Sequence, residues 1–233
     1  NRLRGVIGER KNWGVIHYAL DSVKNDGSSH DFDRLYGICT TNTLTAVAIA
    51  AAKPIKKSGQ IQSVTPLDTI GIYQEIAWVT TVLATNSALI TKFVKLRNEY
   101  MLSLSNGHYD AAETCLAQID KDCGLSLWSV ENRISLASLS GGFDLQKSYV
   151  NSIVSRDRRA FVAFFASNIG ERNESRVSKI SFESRLRERA KTWKIKSDQQ
   201  AYIFFKLIGA SSLSQIEAAD ILSFEAASSP IDL

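Results

Sequence analysis

The strongest constraint on this chain is a helical apolar period that recurs from end to end, with short connectors between its segments. Trp13, Ile16, Leu20 and Val23 fall at i, i+3, i+7 and i+10, one stripe of a helix that stops at Asn25-Asp26-Gly27. The same reading predicts helices over 31–39 and 43–53, the second ended by Pro54. A loop follows around Lys56, Lys57, Ser58 and Gly59. Thr65 then caps a helix with Pro66 at its first position, running to about Leu83. Asn86 or Ser87 starts the next, to about Ser105, and Asn106-Gly107 turns the chain into 108–123. Further helices are expected over 125–140, 143–154, 157–169, 178–193, 199–208 and 213–227. No run alternates clearly with period two, so strands are not expected.

Connectors of two to six residues between helices force antiparallel neighbours. An amphipathic helix cannot bury its stripe alone, and about eleven in succession favour a stack over a closed bundle. The expected fold class is therefore all-α: stacked antiparallel helical hairpins forming an α-solenoid.

Self-comparison adds a period. Displacing the chain by 34 residues lays 94–123 over 128–157, pairing Asn98 with Asn132, Leu102 with Leu136, Gly107 with Gly141, Asp110 with Asp144 and Ile119 with Ile153. Each unit reads as a helix, a Gly-aromatic-Asp turn and a second helix. The glycine supplies the left-handed residue ending the first helix. The aromatic (Tyr109, Phe143) packs back between the helices, and the aspartate lies in the first turn of the second, where its charge suits the dipole.

This arrangement resembles the tetratricopeptide repeat family over about residues 94–153. Gly107, Tyr109 and Ala112 stand where that family carries its turn glycine, aromatic and small second-helix residue. Gly141 and Phe143 match in the second unit, where Gln146 replaces the small residue. Tyr100 and Ile134 depart from the pattern, occupying positions where the family packs Gly or Ala, and no proline closes either unit. The resemblance implies a scaffold that binds partner proteins, commonly through a concave surface.

Composition excludes several classes. The chain is 44% hydrophobic and 22% charged, with 3 Pro and 13 Gly, which is neither disordered nor low-complexity. No segment reaches the roughly 18 to 20 apolar residues of a membrane span. Cys39, Cys115 and Cys123 are an odd count without C-x-x-C spacing, which favours a reducing, cytoplasmic setting. His17, His30 and His108 have no metal-ligand spacing, and neither a nucleophile elbow nor a phosphate-cradling loop is present. No catalytic residue, metal site or cofactor is expected. Paired carboxylates such as Asp120/Asp122 and Glu183/Glu188 read as solvated faces.

The chain starts at Asn1, its single methionine is Met101, and Ser229-Pro230 reads as a helix start. These features lead to the expectation of a fragment of a longer protein. Residues 1–58 form an N-terminal helical segment, with a separate subdomain as the alternative. Residues 59–233 are expected to form the hairpin array, with its continuation beyond 233 part of the same expectation.

Charge is unevenly distributed. Overall there are 28 Lys+Arg and 24 Asp+Glu, but residues 156–196 alone hold 12 bases and 5 acids, a local +7 that leaves −3 for the remainder. Phe182, Leu186, Ala190 and Trp193 make the buried stripe of the helix there, leaving Arg185 and Arg189 on one flank and Arg187, Lys191 and Lys194 on another. Arginines one turn apart can grip carboxylates or phosphates. Arg156, Arg159, Arg185, Arg187, Arg189, Lys191 and Lys194 are thus the candidate partner-binding residues, set against the plainer reading of a solvated face.

The expected function is a protein-interaction or assembly scaffold whose partner offers an acidic surface. One alternative is a nucleic-acid-binding helical domain using residues 156–196. A further alternative is a helical accessory region of an enzyme whose catalytic part lies outside this chain.

Overall fold

The computed structural model describes residues 18, 20–22, 24, 25, 27, 29–41, 71–156, 161–174, 178–193, 195, 197–209, 213–227 and 229–233. Every regular element among them is α-helical, as the period predicts. In chain order these are α1 (Ser29–Thr41), α2 (Ile72–Thr85), α3 (Ser87–Ser105), α4 (Tyr109–Asp122) and α5 (Leu127–Arg156). They are followed by α6 (Phe161–Arg172), α7 (Lys179–Thr192), α8 (Ser197–Ile208) and α9 (Gln215–Ala226). The expected helix over 43–53, the loop at 56–59 and the division after residue 58 lie outside the described residues. No helix among the described residues is long and apolar enough to cross a membrane.

Consecutive helices pack on one another, most extensively α3 on α4 and α5 on α6, and α9 packs back on α2. Each unit turns at a glycine of positive φ. Gly107 has φ 72° and ends α3, while Gly142 (φ 71°, ψ −163°) breaks the long α5 into two arms. The 34-residue offset pairs Gly107 with Gly141, yet the residue of positive φ is Gly142, one position later. Gly141 meets a different need: a Cβ there would lie 2.6 Å from Leu145 Cδ2 and 2.9 Å from Leu145 Cβ. The second aromatic also departs from expectation, since Phe143 is exposed while Tyr109 is partly buried in the α3–α4 core.

Two helix starts need correction. Gly71, extended at φ −61° and ψ 149°, is the N-cap of α2, so the helix that reaches Leu83 starts at Ile72; Thr65 and Pro66 lie outside the described residues. A glycine is tolerated at a cap and costly inside a helix, which suits Gly71 to the cap position. Ser229-Pro230 does not begin a helix among the described residues. It enters a turn in which the Asp232 amide donates to the Ser229 carbonyl at 2.9 Å.

That turn ties the molecule together. Ile231 packs into a core with Phe93, Tyr100, Leu116 and Leu136. The Asp232 carboxylate accepts from the Leu127 and Trp128 amides at 3.0 and 2.9 Å, satisfying the first turn of α5. Upstream, α9 places Ile221 and Phe224 in the α5–α8 core and Ala226 in a third core with Leu20, Phe32, Tyr36, Trp78 and Val82. Within that third core Lys24 Nζ lies 2.6 Å from Glu75 Oε1, both side chains essentially fully buried.

Candidate functional site

The basic helix α7 is built as the sequence suggests. Ser178 caps it by accepting from the Ser181 amide, and Phe182, Leu186 and Ala190 are buried. Its arginines, however, pair with the chain's own acids while staying partly exposed. Arg185 Nε lies 2.7 Å from Glu171 Oε1, and Arg189 bonds the other oxygen of the same carboxylate. Arg189 also donates to Asn168 Oδ1 at 3.1 Å. The two arginines one turn apart do grip a carboxylate, but it belongs to α6.

On the other flank Arg187 pairs with Glu183 at 2.7 Å and sits over the Phe204 ring, 4.7 Å from its centroid. Lys191 pairs with Glu188 at 3.1 Å. Arg156 is exposed at the end of α5. Arg159 and Lys194 lie outside the described residues. The fold therefore brings Arg185 and Arg189 together, at the α6–α7 seam, with their charge offset by Glu171.

A different place has the shape of a binding site. A cleft of about 290 Å³ opens between α4 and the two arms of α5. The N-terminal turn of α4 contributes Tyr109, Asp110 and Glu113. The first arm of α5 contributes Arg133, Leu136, Ala137 and Ser140, which fall at i, i+3, i+4 and i+7 on one face. Beyond the Gly142 break, Leu145 and Tyr149 close the far wall. The Gly141-Gly142 pair makes this shape: one residue turns the backbone, and the other lets Leu145 fold back against the first arm.

Arg133 forms the floor. It donates to Asp120 Oδ2 through Nε at 3.0 Å and Nη2 at 2.7 Å, and its Nη1 bonds Glu113. Its side chain is 17% exposed, against 55% for Glu113. Burial raises the Asp120 pKa above the ordinary carboxylate value, with the Arg133 charge pulling the other way. Burial likewise pushes the Tyr149 phenol up to about 12, so it stays neutral at physiological pH. Asp120 is thus not part of a solvated face, which corrects the reading of the Asp120/Asp122 pair. Asp122 is no more exposed than Asp120, and its carboxylate lies 2.8 Å from Lys92 Nζ.

The sequence signal for this cleft was an arginine standing in the apolar stripe of α5, thirteen residues after Asp120 and twenty after Glu113. Such spacings identify a contact only once the turn between the helices is known. No protein-family model, no curated protein and no solved structure matches this chain. The chemistry of the site therefore carries the functional argument.

Proposed function

We propose that this chain is a protein-interaction or assembly scaffold, tetratricopeptide-like over α3–α5, and that its partner docks in the α4–α5 cleft. The observation that carries this reading is the cleft itself: partly apolar walls over an anchored charge network, between two hairpin helices. The repeat reading has support in shared burial 34 residues apart. Tyr100 and Ile134, Ala112 and Gln146, and Ile119 and Ile153 are all buried pairs. A basic face for an acidic partner or for nucleic acid has less support, because Arg185, Arg187, Arg189 and Lys191 already hold carboxylates of this chain. A reducing, cytoplasmic setting belongs to the same proposal and is supported by Cys115 and Cys123, both free thiols whose pKa burial raises.

The test is capture of partners by three forms of the chain, with and without nuclease. Ala137→Trp fills the cleft, and Arg187→Glu/Lys191→Glu inverts the exposed basic flank. A nuclease-resistant partner lost only with Ala137→Trp is the expected result. Capture that vanishes with nuclease, or only with the α7 variant, would move binding to the basic segment.

A further inference from the structure

Resting on the scaffold reading, we infer that the α4–α5 cleft receives a lysine or arginine side chain presented by a segment of a partner protein.

Size comes first. At about 290 Å³ the cleft lies at the lower edge of the range for small-molecule sites, roughly 300 to 1,000 Å³. It has room for one long side chain and little more.

Charge then selects the sign. Asp110, Glu113 and Asp120 stand against the single guanidinium of Arg133 among the lining residues and their direct partners. Arg133 is already committed to Asp120 and Glu113, so an incoming carboxylate or phosphate would meet acids whose counter-ion is spent. An incoming cation meets the reverse. Asp110 lies exposed in the first turn of α4, and Glu113 keeps more than half its side chain toward solvent.

The remaining walls suit the rest of such a side chain. Leu136, Ala137 and Leu145 offer an apolar surface for its methylene stem. Tyr109 and Tyr149 bring two aromatic rings to the same cleft, whose faces attract a cation within about 6 Å. The order of features, acids at the α4 edge and aliphatic groups along α5, matches a chain with a charged head and an apolar stem.

An array of random nonapeptides probed with the 233-residue chain tests this directly. Retained peptides are expected to share a Lys or Arg at a fixed position. Replacing that residue with norleucine, which keeps the stem and removes the charge, should weaken binding roughly tenfold. Asp110→Asn/Glu113→Gln should weaken the same peptides by a similar factor with an unchanged circular dichroism spectrum. Glu113→Gln alone, at an exposed position, provides the milder variant should the double one lose structure.

Retained peptides without a basic residue, but lost with Ala137→Trp, would overturn the cationic ligand and leave the docking cleft standing. Peptides indifferent to Ala137→Trp, or none retained at all, would overturn both. Self-association of the chain that disappears in the Asp110→Asn/Glu113→Gln form would replace the partner protein with a second copy, whose own basic segment would then be the ligand.

Discussion

Two arginine–carboxylate networks in this molecule have the same chemistry and opposite consequences. At the α6–α7 seam Arg185 and Arg189 close on Glu171, and the result is a part-exposed contact with its charge offset. At the α4–α5 cleft Arg133 closes on Asp120 and Glu113, and the result is an open floor with carboxylate to spare. The difference lies in the backbone. The helix α5 breaks at Gly142, and Leu145 and Tyr149 beyond the break line the cleft together with the N-terminal turn of α4. A run of like charge in a sequence therefore does not locate a binding face. What matters is which charges the neighbouring helix has already neutralised.

The sharpest way to break this comparison is Arg133→Met. It should cost about 3 kcal/mol at neutral pH, toward the low end for a broken buried pair because some exposure remains. The pH dependence has a definite sign. Without the guanidinium the native pKa of Asp120, already raised by burial, rises further, so the native state binds a proton that the unfolded state has released. Stability of the variant relative to the parent then falls as pH rises through the carboxylate range and above it. Urea unfolding at pH 4.5 and 7.5 measures this; a deficit equal at both values would show that Asp120 is not held by Arg133.

Next in size is the break itself. Gly142→Ala places a Cβ at φ 71° and ψ −163°, a conformation open essentially to glycine alone, and should cost about 1 to 3 kcal/mol in urea unfolding. The cleft walls should respond as well, visible as altered Tyr149 ring resonances. An unstrained, equally stable variant would mean that the two arms do not depend on that backbone.

Glu171→Ala should cost less than Arg133→Met, about 1 kcal/mol or below, since the Arg185 and Arg189 side chains are 46% and 40% exposed and can hydrate. A loss as large as that of Arg133→Met would erase the distinction between the two networks. Smallest of all is Arg187→Ala. It removes an exposed i,i+4 pair with Glu183, worth roughly 0.3 to 0.5 kcal/mol. The Phe204 ring contact adds to that, and its share can be read from a Phe204→Leu double-mutant cycle.

Much of the local structure was legible in the residues. The helices followed the apolar period because burial of one face is what stabilises a short helix. Ser178 capping α7 and the Ser214–Glu217 capping box of α9 follow from the same local chemistry. Gly107 follows the C-cap Asn106 of α3, the position where a positive φ commonly ends a helix and glycine takes it without strain. Less legible was the phase of the second turn, where Gly141 and Gly142 are equivalent on paper and only the position of Leu145 separates their roles.

By itself, then, the sequence determined the helices, the packing of consecutive ones on each other, the buried stripe of α7 and the concentration of basic residues around it. These depend on spacings of three and four residues, which the chain carries locally. Tertiary structure decided everything that depends on distant partners. It turned Arg185 and Arg189 toward Glu171, sank Asp120 beneath Arg133, and drew Asp232 back across more than a hundred residues to the first turn of α5. The physical reason is common to all three. An ionised group partly or wholly withdrawn from water must find its counter-charge or hydrogen-bond partner wherever packing places one, and packing is a property of the assembled helices.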